Sequence, residues 1–369
     1  MSENRRSARW KRCFAFSFCC DNFRRIRETN KMAFGKQNDG LKASWLLLLG
    51  TVFWGFSFLA MKSLVMIQEK ILPEASTWFF SSLSLVIRFG VAALILFIWA
   101  RRTLVGWTRR ELEQAILLGL AGGVGILIQM DAVNYTSAST TAFLTQCYCL
   151  FIPIFVGLRK RIWPGKRLLL NLVMVVSGVA ILSQFNWQNM RFGRGELEAI
   201  IASVFFTVQI LGLEEPRYAR NNVNNVLALM FAVKLVSVLP AFFWTKPSWR
   251  EVALVCNSAP VLLIYAILTL FCTVAAYMLM NHWQPRIEST RAGLIYCAEP
   301  LFTSVFALFV PQLFSTFAAI NYANEKVTAA LLIGGGLITG ANVLNLLTGS
   351  DSAARAAGES KDDAPAIVK

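Results

Sequence analysis

The chain has 369 residues, 56% of them hydrophobic and only 15% charged, with a mean hydropathy of +0.53 and a formal charge of +15. A soluble domain carries roughly 25% charged residues. Here the apolar residues instead come in runs of about 20, the length that crosses a ~30 Å hydrocarbon core as a helix. The composition argues against an ordinary soluble domain, and the placement of the charge reads as membrane orientation rather than as a nucleic-acid surface. Eleven Lys/Arg lie in residues 1–42, and others cluster in "RRTLVGWTRR" (101–110) and "RKRIWPGKR" (159–167), beside apolar runs, where basic residues set membrane orientation.

Residues 1–42 form a basic, aromatic-flecked arm with no apolar core and cleavage site of the signal-peptide kind. Three readings stay open: a disordered cytosolic arm touching anionic lipid, a targeting extension, or a start read too early, with Met32 as the first residue. Ten apolar spans follow, at about 43–66, 79–100, 112–134, 138–158, 167–185, 195–213, 226–244, 252–281, 291–311 and 327–347. The tail 348–369 is small and charged and is expected to be disordered. With the N-terminus inside, cytosolic segments hold 26 Lys/Arg and outside segments six, so both termini are expected in the cytosol of a cell-membrane protein.

Self-comparison at an offset of 150 aligns "SASTTAFLTQCYCLF" (137–151) with "IESTRAGLIYCAEPL" (287–301), and puts Ser57 against Thr207. Later, Gly178 aligns with Gly340, an offset of 162. Units of five spans, 43–185 and 195–347, start from opposite membrane sides, so the expected fold is all-α, ten transmembrane helices as two inverted five-helix repeats. Such repeats build many secondary transporters, with the substrate at the midplane.

Ionisable groups at the bilayer centre cost between ~2.5 and more than 10 kcal/mol, so each is a functional candidate. Lys62 lies near the end of span 1 and can snorkel. Arg88 ("LSLVIRFGVAAL") and Lys234 fall mid-span and need partners. Glu299 lies eight residues after Arg291, roughly 12 Å deep at a 1.5 Å rise. Pro300 behind it removes a helical hydrogen bond. Freed backbone at that depth is tolerated on protein or at a wet cavity. Glu299 is therefore either a proton-coupling site or the partner of Arg88 or Lys234 in a buried ion pair. Further interior polar residues are Gln129, Asp131 and Asn134, Thr140, Thr141, Thr145, Gln146 and Tyr148, Thr207 and Gln209, Asn281, His282 and Gln284, and Tyr296. Ser and Thr often bond their own helix. Gln146, Tyr148 and Tyr296 are the stronger site candidates, and Gln129, Thr145, Thr207 and Gln209 complete the expected substrate set. Gly119-xxx-Gly123 and Gly336-xxx-Gly340 allow close helix approach, in span 10 either within its own half or at a homodimer face, the former being the expectation.

"FWGFSFLAMK" (53–62), "IRF" (87–89), "STTAFL" (139–144) and "STRAGLIYCAEPLFTSVFALF" (289–309) followed by "NEKVTAALLIGGGLITGANVL" together resemble the drug/metabolite transporter superfamily, EamA type. Departures are Cys149-Leu150 where the second half has Glu-Pro, and "KRIWPGKR" in place of the usual acidic turn. The resemblance implies ten spans, termini inside, and movement of small metabolites such as amino acids or amphiphiles, usually outward.

No GxxxxGK[ST] is present, so ATP hydrolysis is not the driving force. Eight cysteines without a CxxC pair and a single histidine, His282, offer no metal site, no cofactor and no catalytic cluster. The expectation is a non-enzymatic secondary transporter whose partners are a small-molecule substrate and lipid, as monomer or homodimer. A receptor or scaffold, or an uptake permease of the same fold, are the alternatives.

Overall fold

A computed structural model describes residues 39–136, 138–161, 165–182, 193–330, 332–341 and 344. Most of the basic arm, the "IWP" of the turn after span 4 and the charged tail lie outside the described residues.

The apolar runs fold into helices because a backbone in hydrocarbon must satisfy its own hydrogen bonds. The first three are α1 (Asp39–Ile71), α2 (Thr77–Leu104) and α3 (Arg109–Tyr135). Each start is written locally. Ser76 accepts from Trp78 N at the head of α2, while Thr108 and Glu111 cap each other's backbone at the head of α3. The fourth run is two helices, α4 (Ala138–Thr145) and α5 (Tyr148–Lys160), interrupted at Gln146–Cys147. Then come α6 (Lys166–Leu182), α7 (Arg194–Glu214), α8 (Val223–Thr245) and a short α9 (Trp249–Cys256). The eighth run is α10 (Ala259–Thr269), a π-helical turn over Leu270–Ala275, and α11 (Ala276–Trp283). The ninth is α12 (Ser289–Tyr296), α13 (Glu299–Ala307) and α14 (Val310–Ala318), and α15 (Leu332–Ala341) is the last.

Among the described residues seven helical stretches, two of them the joined α4/α5 and α10/α11 runs, are long and apolar enough to cross a membrane. The bent pair Ser289–Ala307 and Val310–Ala318, kinked by 56°, brings the number to eight if it is one span. The fifth and tenth expected spans are represented by shorter apolar helices, Leu168–Gly178 and Leu332–Ala341. Two boundaries differ from expectation. The eighth span begins at Ala259 rather than 252, because Pro260 starts a new helix behind Ser258. The ninth does not run straight to 311: Pro311 sits in the first turn of α14 and the chain bends before it.

The outward faces of the helices carry large apolar side chains, among them Trp99 at 67% and Trp244 at 91% exposure. Water would make such surfaces an aggregation liability, whereas hydrocarbon and its interface accept them. Inside, α3 lies against α7 and α8, and α2 against α8, so the two halves of the chain interlock. Glycines set the closeness. A Cβ on Gly119 would fall 2.6 Å from Val233 Cβ, and one on Gly123 would fall 3.2 Å from Lys234 Cα, so the α3–α8 crossing needs both. Span 10 packs within its own half, as expected, a Cβ on Gly335 falling 2.8 Å from Leu301 Cδ1 of α13, and it also reaches across to the first half. A Cβ on Gly178 of α6 would fall 2.8 Å from the Gly334 carbonyl, and one on Gly340 would fall 3.3 Å from Met174. Thus α15 packs on α6, its counterpart in the first half. The two interrupted helices also meet, α12 against α5 and α13 against α4.

Candidate functional site

Both helix interruptions fall within a residue of the 150-residue offset: Gln146–Cys147 in the first half, Cys297–Ala298 in the second. Pro300 belongs to the first turn of α13, where a missing N–H costs nothing. The residue that breaks a continuous helix thus starts a new one. Leu150 stands at the equivalent place in α5, so the break does not depend on proline alone. Gly55 of α1 lies directly on the second break: a Cβ there would fall 2.7 Å from Phe302 Cβ and 3.0 Å from the Glu299 carbonyl. Thr303 Oγ1 donates to Gly55 O at 3.1 Å and closes the contact.

The breaks bring side chains together. Gln146 Nε2 donates to Glu299 Oε2 at 3.0 Å, while Gln146 Oε1 is buried without a protein donor. Glu299 keeps 7% of its surface and Gln146 3%. Close by in sequence, Gln129 Nε2 donates to Thr145 Oγ1 (3.1 Å), which in turn donates to Thr141 O (2.8 Å). Thr207 returns its hydroxyl proton to Ser203 O, as a helical threonine does. Tyr148 is buried, and the side chains of Ser139 and Thr140 lie outside the described residues.

Tyr296 ends α12, and its hydroxyl donates to Gln284 Oε1 at 2.9 Å; Gln284 Nε2 donates to Ile210 O at 2.7 Å. Its ring stands edge-on to Trp54, with centroids 5.4 Å apart, and Trp54 stands edge-on to Tyr277 at 5.7 Å. Tyr277 carries the Lys234 ammonium 3.7 Å above its ring centroid, with Phe89 and Phe231 at 5.5 and 5.6 Å. The aromatic chain Tyr296–Trp54–Tyr277 therefore joins the second helix break to Lys234.

The buried ion pair expected of Glu299 does not form. Among the described residues it is paired with neither Arg88 nor Lys234. The amide of Gln146 takes the carboxylate instead. The Arg88 Nε and Nη2 groups donate to Thr273 Oγ1 at 3.2 and 3.0 Å, and that hydroxyl donates on to Leu268 O through the π-helical turn. Wider turns of this kind free a carbonyl for such a bond and cluster at functional sites. Lys234 Nζ and Arg88 Nη1 are buried with no acceptor among the described residues. A desolvated cation–π contact contributes ~2 kcal/mol, against ~2.5 to more than 10 kcal/mol for a cation at the bilayer centre. The rings hold the ammonium without fully compensating it.

Two clusters nearer the helix ends were not legible as pairs. Asp131, fully buried at the end of α3, is bound by the Arg194 guanidinium at the start of α7, which also binds Glu198 and lies 4.1 Å over Tyr135. At the other end of α7, Glu214 accepts from the backbone and hydroxyl of Ser289 and so fixes the start of α12. Beside it Arg159 grips Glu215 with two nitrogens, at 2.9 and 3.3 Å, and holds its carboxyl below the usual carboxylate range. Lys62 Nζ donates to Val133 O at 2.8 Å rather than reaching for the surface. Trp54, Tyr277 and Thr273 were missed because an aromatic ring or a threonine in an apolar run carries no sequence flag, though Trp54 sits in the quoted "FWGFSFLAMK".

Residues 41–184 match the model of the EamA-like transporter family. An uncharacterized transporter of Archaeoglobus fulgidus is 26% identical over 299 residues, 79% of this chain and 87% of that protein. A solved crystal structure, described only as that of a protein, superimposes with a TM-score of 0.54 at 16% identity, covering 81% of this chain and 96% of its own; the likeness is one of fold.

Proposed function

We propose that the chain is an EamA-like transporter, integral to a membrane and multi-pass, and that it moves a small organic metabolite or amphiphile outward by alternating access between two inverted five-helix halves. Ten crossings with both termini in the cytosol are part of this reading, the shorter α6 and α15 serving as the fifth and tenth. The observation that carries it is the pair of interrupted helices, α4/α5 and α12/α13, broken at matching places and joined at depth by the Gln146–Glu299 hydrogen bond. Broken helices at the midplane supply polar backbone and side chains where a solute must be stripped of water. Contacts of α12 with α5 and of α13 with α4 fit a pair of units rocking about one another.

In this reading Gln129, Thr145, Gln146, Tyr148, Thr207, Gln209 and Tyr296, with Trp54 and Tyr277 as walls, receive the substrate. Glu299 takes up and releases the coupling proton. A carboxylate whose side-chain partner is one neutral amide can lose or gain a proton without breaking an ion pair.

The test is counterflow in proteoliposomes. Reconstituted protein preloaded with an unlabelled amino-acid mixture is expected to accumulate labelled substrate above the level of empty vesicles. Binding in detergent with no counterflow for any substrate bound assigns the chain to the receptor class instead.

A further inference from the structure

Lys234 is the middle residue of α8 (Val223–Thr245), eleven residues and roughly 16 Å of helix from either end. Nothing in the transport reading above uses it. Among the described residues its ammonium has no acceptor, and neither has Gln209 Nε2 nor Arg88 Nη1. The three orphans share one property: all are donors. Gln209 and Lys234 converge on α3, where a Cβ on Gly122 would fall 2.5 Å from Gln209 Oε1 and 2.6 Å from Lys234 Nζ. The charged neighbour acting on Lys234 is Arg88, a second cation, and Phe89 beside that arginine helps to frame the ammonium. Among the described residues no carboxylate pairs with Lys234: Asp131 and Glu198 are held by Arg194, and Glu299 by Gln146. The acceptor that completes such a set of donors carries negative charge.

We infer that Lys234, with the Gln209 amide and Arg88 beside it, receives a carboxylate group of the transported molecule. The inference rests on the transport reading and names the chemical class of its cargo. One ammonium, one amide nitrogen and one guanidinium nitrogen suit two oxygens on one carbon better than the four oxygens and double charge of phosphate. Tyr277 below the ammonium and Trp54 next to it offer ring faces to the remainder of the molecule. Gly122 is what lets both donors come to the same place.

The experiment measures binding of sodium acetate, acetamide, methylamine and inorganic phosphate to the purified full chain in detergent at matched ionic strength. Thermal unfolding and calorimetry give the readout. Acetate is expected to raise the unfolding midpoint and acetamide and methylamine to leave it unmoved. Lys234→Met, which removes the charge, is expected to weaken acetate binding at least about tenfold, as loss of a charged hydrogen bond does. Should that variant fail to fold, Gly122→Ala serves. It keeps the lysine, and its methyl displaces only the flexible ends of Lys234 and Gln209. It too is expected to lose acetate affinity. Equal acetate affinity in both variants and the natural protein, no acetate binding at all, or binding of phosphate alone overturns the assignment. Acetate binding in a protein that shows no counterflow overturns the transport reading and leaves the site standing.

Discussion

Gln146 and Glu299, 153 residues apart, meet as amide donor and carboxylate acceptor at 3.0 Å, each at the interruption of a helix. Neither has another side-chain partner at that contact, so both halves of the chain have a stake in one hydrogen bond.

Replacing Glu299 with Gln keeps size and shape and removes the titrating group. Accumulation driven by a pH gradient is expected to be lost, with counterflow of the same substrate retained and gel-filtration behaviour unchanged. Gln146→Leu is expected to destabilise the protein by about 1–3 kcal/mol, the cost of stripping a buried acceptor of its donor. Gradient-driven uptake into vesicles that is unaltered by Glu299→Gln removes the proton role.

Gly55→Ala tests the seat of the second break. Its methyl would meet Phe302 Cβ and the Glu299 carbonyl, atoms fixed by the α13 backbone rather than by a swinging side chain. Overpacking of this kind costs about 1–3 kcal/mol, to be read as a lower unfolding midpoint in detergent. An unchanged midpoint contradicts the close approach of α1 and α13.

Arg194→Met leaves Asp131 buried and unpaired. Losing one partner of a fully buried pair costs about 3–5 kcal/mol, and the partial exposure of Arg194 reduces this to roughly 2 kcal/mol. The double variant Asp131→Asn/Arg194→Met is expected to recover most of it. A thermodynamic cycle with no coupling between the two sites refutes the pairing.

The Arg159–Glu215 contact sets a pH dependence. Because the guanidinium holds the Glu215 carboxyl below its ordinary range, the contact contributes stability above the unfolded carboxylate pKa and loses it as pH falls through the lower, folded one. Unfolding midpoints followed from neutral to acid pH are expected to show this step in the natural protein. Arg159→Ala should lack it; identical profiles exclude the contact.

Much of this was written in the sequence. Runs of about 20 apolar residues gave the crossings, because in hydrocarbon the helix is the only open choice. The second helix break was legible at Glu299–Pro300, whereas span 4 read as continuous; the two breaks nonetheless fall within a residue of the 150-residue offset. Single residues were legible where a polar group stood against an apolar background, as with Gln146 and Glu299. Pairings were not. Sequence arithmetic matches Glu299 with the nearest cations by charge, whereas in three dimensions an amide reached it first, a hydroxyl on a π-helical turn took Arg88, and three rings framed Lys234. Aromatic walls escaped for the opposite reason: Trp54 and Tyr277 look like the lipid-facing residues around them. The packing of α15 on α6 joins segments about 160 residues apart, and no local pattern carries such a contact.

The most direct measurement is accessibility of the first helix break from the two membrane faces. In oriented vesicles carrying Gln146→Cys, with the native cysteines replaced by serine or alanine, a membrane-impermeant methanethiosulfonate reagent is applied to one face and then to the other. Modification from either face, slowed by substrate in both cases, is the expected result. Modification from one face alone, or from neither while a loop cysteine reacts, contradicts a midplane site that opens alternately to the two sides.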